Sequence, residues 1–157
     1  MKKYNFTKDE KIIIREFIHS IDKSLKIRVS QEQRFECDIP KKTIYLGSKK
    51  IDKLENKLFQ EWFEKQPEYI KINKTLMSIL HEIGHFMTFN KQEFELRNEI
   101  EEMLIFMYDN YYINEKEINF AYWNIENERK ATMWGVQYFK DNREKCLELA
   151  AALGLSM

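Results

Sequence analysis

The strongest constraint on this chain is the stretch 73–90, where apolar residues recur at helical spacing and two histidines stand four positions apart. Leu76, Ile79, Leu80, Ile83, Phe86 and Met87 fall within about 120° of a wheel drawn at about 100° per residue. His81 and His85 fall on the opposite side, beside Lys74 and Ser78. A helix patterned this way anchors through one face and presents both imidazoles to a cleft. The segment itself reads His81-Glu82-Ile83-Gly84-His85, an H-E-x-x-H motif. Side chains at i and i+4 lie one above the other, so both rings can reach one Zn²⁺. The glutamate between them stands where it can take a proton from a metal-activated water.

Elsewhere the chain is ordinary for a folded protein of one domain. Its 157 residues suit a single core, and 43% hydrophobic with 14% aromatic residues are enough to fill one. Only two prolines and four glycines favour a mostly helical fold. Thr7 and Glu10 form a capping-box pair, and Ile13, Ile14, Phe17, Ile18 and Ile21 supply the stripe of the helix they open. The alternating runs Leu25-Ile27-Val29, Phe35-Cys37-Ile39 and Thr43-Ile44-Tyr45-Leu46, the last ending at Gly47, predict two or three strands. Ile51, Leu54, Leu58 and Trp62 mark a second helix that stops before Pro67. The third is the histidine helix. A fourth starts near Glu93 with Leu96, Ile100, Met103, Leu104, Met107, Tyr108 and Tyr111 on one side, a fifth spans about 119–140, and a sixth follows from 141. The expected fold is α+β: mostly helical, with a small antiparallel or mixed sheet near the histidine helix. Residues 1–140 form its main body and 141–157 a helical tail of the same domain.

Charge and targeting signals exclude several classes. No apolar run approaches the ~18 residues of a membrane span, and the opening residues hold no signal-peptide core. Cys37 and Cys146 are the two cysteines, too few for a disulfide framework and suited to a reducing, cytoplasmic setting. Lys and Arg balance Asp and Glu at 26 each, but residues 1–75 hold 18 basic against 12 acidic groups and residues 76–157 hold 8 against 14. These read as solvated helix faces, the acidic half able to attract a basic partner. A neutral chain argues against a dedicated nucleic-acid binder.

A catalytic zinc needs a third protein ligand. The remaining histidine, His19, lies beside Ile12, Arg15 and Glu16 on the polar edge of the first helix and reads as a surface residue. No histidine follows His85, so the ligand is expected to be a carboxylate on a later helix. Glu126 shares its face with Arg129, Lys130, Met133 and Gln137, which suits water. Glu128 shares its face with Ala121, Asn124, Ala131, Thr132 and Gly135. A carboxylate among small residues needs a partner, and a metal is a natural one. Glu99 and Glu102 stay as rivals, although carboxylates at the start of the fourth helix also suit its dipole.

Taken together, His81-Glu82-Ile83-Gly84-His85 followed by Glu128-Arg129-Lys130-Ala131-Thr132-Met133-Trp134-Gly135 resembles the ImmA/IrrE-type zinc metallopeptidases. Their pattern is an HExxH helix and a later helix reading roughly E-x-x-A-N/D-x-F-A. The likeness covers about residues 7–140. Thr132 stands where that pattern carries Asn or Asp, and Glu128 follows His85 by 43 positions. The resemblance implies a zincin-like domain holding Zn²⁺ through His81, His85 and Glu128, with Glu82 as the proton-accepting catalytic residue. It also implies a cytoplasmic metalloendopeptidase of a phage or mobile element, acting on a repressor-like protein partner. Thr43-Ile44-Tyr45-Leu46 resembles the substrate-side edge strand of that family. An oxyanion donor is needed, for which Tyr45, Tyr122 and Tyr138 are candidates.

The tail Glu148-Leu149-Ala150-Ala151-Ala152-Leu153-Gly154-Leu155-Ser156 resembles the first helix and turn of a helix-turn-helix, but reads more simply as an amphipathic helix capped by Gly154. Two other function classes compete. One is a metallopeptidase-like binding module that holds a partner and cleaves nothing. The other is a helical regulator with an accidental HExxH, which would need a contiguous basic face.

Overall fold

Thr7 opens the first helix as its spacing to Glu10 requires: the Thr7 side chain accepts from the Glu10 amide, and the Glu10 carboxylate accepts from the Thr7 amide. The computed structural model describes residues 5–50 and 54–156. Helix α1 (Lys8–His19) leads to three short strands, β1 (Lys26–Val29), β2 (Glu36–Asp38) and β3 (Thr43–Leu46). Six helices follow: α2 (Leu54–Glu64), α3 (Lys74–Met87), α4 (Lys91–Asp109), α5 (Glu115–Asn124), α6 (Glu126–Asp141) and α7 (Arg143–Ala152). The fold is α+β, mostly helical with one small mixed sheet. Ile51, expected in the α2 stripe, lies outside the described residues. Among the described residues no helix is long and apolar enough to cross a membrane.

The sheet order is β1-β3-β2, with β1 parallel and β2 antiparallel to β3. This corrects the expectation that residues 43–46 form an edge. The turn after β2 folds the chain straight back, with the Lys42 amide donating to the Ile39 carbonyl at 3.1 Å and Lys42 at φ 49°. β1 then pairs along the other side of β3, beginning with the Lys26 amide on the Lys42 carbonyl at 2.8 Å. Both edges of β3 are therefore used, and Thr43, Ile44 and Leu46 are buried. The strand nearest α3 with a free edge is β2.

One core runs through the molecule. Ile14, Phe17 and Ile18 of α1, Ile44 and Leu46 of β3, and Leu76, Ile79, Leu80 and Ile83 of α3 meet Val136 and Phe139 of α6 and Cys146, Leu149 and Ala150 of α7. The apolar arc read from the α3 sequence is thus buried, except at its end, where Phe86 is half-buried and Met87 is 45% exposed. Asn73 caps α3 by accepting from the Thr75 and Leu76 amides. Helix α7 ends in a Schellman turn: Gly154, at φ 66°, donates to Ala151 and Leu155 donates to Ala150.

Two helix expectations are corrected. The single helix expected over 119–140 is two, broken at Ile125, whose ψ of 133° ends α5 and starts α6. No proline or glycine marks this break. Buried Ile125 and the bond from Trp62 Nε1 to Asn124 Oδ1 at 3.1 Å tie the joint to α2. The stripe expected on α4 is not a buried face: of its residues only Leu104 is buried, while Leu96, Met103 and Tyr108 are exposed and Tyr111 lies past the helix end. Residues 103–108 are all apolar or aromatic, so periodicity cannot choose a face there, and α4 packs along a narrow strip only.

Candidate metal centre

The site is made where α3 crosses α6. A side chain on Gly84 would place its Cβ 2.3 Å from the Ala131 carbonyl oxygen, and one on Gly135 would meet Met77 and Leu80. Small residues at these crossings let the two backbones touch. The break at Ile125 puts Glu128 in the first turn of α6, where the helix dipole favours a carboxylate.

Three ligand atoms converge between the helices. His85 Nε2 lies 3.1 Å from His81 Nε2, and Glu128 Oε1 lies 3.3 Å from His81 Nε2 and 3.2 Å from His85 Nε2. The edge of a tetrahedron with bonds of about 2.0–2.1 Å is about 3.3–3.4 Å, so the triangle fits a tetrahedral zinc. Its chemistry, two imidazoles and a carboxylate, is a zinc donor set. The outer contacts are made as well. His81 Nδ1 donates to Thr132 Oγ1 at 2.9 Å, and that hydroxyl donates to the Glu128 carbonyl at 3.3 Å. With Nδ1 carrying the hydrogen, His81 Nε2 is left with a bare lone pair aimed into the triangle. Thr132 thus holds the His81 ring from outside the triangle.

Glu128 is 2% exposed and fully engaged. Oε1 faces the histidines while Oε2 accepts from Arg97 Nε at 3.2 Å. Burial pushes its carboxyl up, but the hydrogen bonds and charge that His81 and His85 supply when protonated outweigh this and hold it well below the usual range. Arg97 also reaches Glu101 at 2.6 Å and Tyr122 Oη at 2.7 Å.

Glu82, also buried, behaves oppositely. Burial is the main cause that pushes its carboxyl up to about 7; the charge of His81 offsets part of this and that of Glu128 adds to it. A carboxyl near neutrality is what a general base requires.

These groups line a cleft of about 1040 Å³ between α3, residues 33–40, α4 and α5. Tyr122 lines it, whereas Tyr45 and Tyr138 do not. The Tyr122 oxygen accepts from Arg97, which leaves its own proton for a group in the cleft, and burial together with the Glu128 carboxylate raises its pKa. Tyr138 instead stacks on Trp134.

Of the residues singled out in the sequence, the fold brings His81, Glu82, His85 and Glu128 together. Glu99 and Glu102 stay exposed on α4, outside the cluster. His19 is half-buried rather than a surface residue, its Nε2 donating to the Leu25 carbonyl at 2.8 Å. The histidine face is likewise less open than the wheel implied, since α6 covers His85 to 8% exposure. Two residues had no signal in the motif. Arg97 reads as an ordinary surface pairing with Glu101 on the same helix. Cys37 shares a second donor cluster with Glu82 and His85. No family model, curated protein or solved structure matches the chain.

Proposed function

We propose that this chain is a zinc-dependent metalloendopeptidase that hydrolyses a peptide bond in a protein partner. The observation that carries the reading is the convergence of His81 Nε2, His85 Nε2 and Glu128 Oε1 at 3.1–3.3 Å, deep between two helices. Three electron-rich atoms brought so close, with one imidazole hydrogen already committed to Thr132, favour a cation among them. Zn²⁺ bound there would polarise a peptide carbonyl and lower the pKa of a water toward about 7. Glu82 accepts the proton of the attacking water and returns it to the leaving amine. Tyr122 gives its hydroxyl hydrogen to the oxygen on which charge develops, held in place by Arg97. Arg97 is a positioning residue: it fixes Glu128 from the side away from the histidines.

The substrate lies extended along the free edge of β2, adding a strand by main-chain hydrogen bonds. Leu104, Ile105 and Tyr108 form an apolar wall of the cleft, and Met103, Phe106, Tyr111 and Tyr112 from the same stretch of chain are exposed. A surface of this kind suits a protein partner. The likeness to ImmA/IrrE-type peptidases extends the proposal to a repressor-like partner met in the cytosol. The same surface also suits a module that binds without cleaving, and one experiment separates the two. Zinc-loaded protein is incubated with unfolded and repressor-type polypeptides, and products are read by mass spectrometry. Glu82→Gln is expected to keep its zinc and lose at least about 100-fold in hydrolysis. Cleavage by Glu82→Gln at the normal rate overturns the mechanism, and a zinc-loaded wild type inert on every polypeptide supports the binding module.

A further inference from the structure

We propose that Cys37 is a fourth ligand of the metal centre, so that the resting site is closed by a thiolate and opens when β2 gives up its hold. The inference rests on the zinc reading above and adds the regulation of that site.

Cys37 is the middle residue of β2 and pairs in register with Ile44 of the central strand. Partners in an antiparallel ladder point to the same face, and Ile44 is wholly buried, so Cys37 faces inward too. There its sulfur, a Glu82 carboxylate oxygen and a His85 ring nitrogen all lie within 4.8 Å of one another. The thiol stands beside the Glu82 carboxylate. His85 belongs to this cluster and to the one with His81 and Glu128, so the two donor sets share one imidazole. Ligands of one tetrahedral zinc lie about 3.3–3.8 Å apart, so the sulfur must close by up to about 1.5 Å on His85 and must also travel toward His81 and Glu128, with which it is not grouped. A three-residue edge strand, bonded to the sheet on one side only, can make that shift.

The exchange is balanced on the residues present. The Cys37 thiol gives its proton to the Glu82 carboxylate, and the sulfur lone pair takes the coordination position a water would otherwise hold. The resting centre then has four protein ligands, the closed form typical of non-catalytic zinc, and Glu82 is occupied by the proton it needs to accept. A peptide that pairs along the free edge of β2 pulls on the strand that carries the sulfur, coupling partner binding to opening.

Cobalt(II) tests this without relying on activity. It is titrated into the metal-free full chain, and the near-ultraviolet sulfur-to-cobalt charge-transfer band is recorded beside metal content and circular dichroism. Wild type and Cys146→Ser should bind one cobalt with the band, and Cys37→Ser should bind one cobalt without it. One cobalt in the wild type with no band, or a band that survives in Cys37→Ser, overturns the proposal and leaves the three-ligand reading standing. Failure of the wild type to take up cobalt overturns both. Should Cys37→Ser not fold, alkylation of the wild-type protein decides the point: zinc should slow modification of Cys37 at least about tenfold. Equal rates with and without zinc overturn it.

Discussion

The α3–α6 crossing and the second half of α4 border the same cleft and are built on opposite terms. At the crossing Gly84 lies against the Ala131 carbonyl, Thr132 and Glu128 are buried, and His81 Nδ1 and both Glu128 carboxylate oxygens have partners. Along α4 only Leu104 is buried, while Met103, Ile105, Phe106 and Tyr108 are 40–62% exposed. One region gives up solvent to hold four side chains together. The other leaves apolar surface in water, which contributes little to folding and is useful for holding something else. The difference locates precision in backbone contact between small residues and adaptability in large side chains that nothing covers.

The comparison breaks first at Gly84. Gly84→Ala would force the helices apart because the clash is with backbone, and a loss of about 3 kcal/mol is expected in urea unfolding even after the gain in helix propensity. A stability change below about 1 kcal/mol would mean the crossing is looser than described.

Almost as large is the effect of pH on the metal-free chain. Glu82 keeps its proton to about pH 7 when folded, against 4.5 for an unperturbed carboxyl. Between those values the folded state holds more protons, so its stability falls as pH rises, by on the order of 3 kcal/mol. Glu128 has the opposite sign, and its contribution is lost as pH falls below about 4.5 toward its lowered folded value. Urea midpoints at pH 5 and pH 7 should show the fall in wild type and not in Glu82→Gln.

Thr132→Val keeps the shape of the crossing but removes the acceptor for His81 Nδ1. Zinc affinity is expected to drop about 10–100-fold with little change in fold, read by competition with a chelating dye. Smallest is Phe106→Ser on α4, expected to change stability by less than about 0.5 kcal/mol and to leave zinc affinity alone. Its effect should fall on capture of a protein partner. A large loss of stability there would show that α4 is covered after all.

Much of the candidate centre was legible because helical spacing is local physics. His81, Glu82 and His85 follow from i and i+4, and Glu128 from its small neighbours, since a carboxylate can share a face with Ala131 and Gly135 only if something else compensates it. What stayed hidden depends on tertiary placement. Strand order cannot be read from the run 43–46, so its central position came from the turn at 39–42 and the parallel pairing with β1. The break at Ile125 has no residue that demands it, only packing. Arg97 sits in a Glu-rich helix, where a surface ion pair is the ordinary outcome, and its bond to Glu128 spans 31 positions. Cys37 was visible as an inward residue of an alternating strand, but nothing local tied that strand to α3.

The most direct test is elemental analysis of protein purified without chelator or metal-affinity tag, beside Glu128→Ala. About one zinc per chain is expected in the wild type, and a weakened or lost zinc in the variant. A wild type that takes up no zinc even after reconstitution, or a variant that holds it as tightly, would contradict the centre described here.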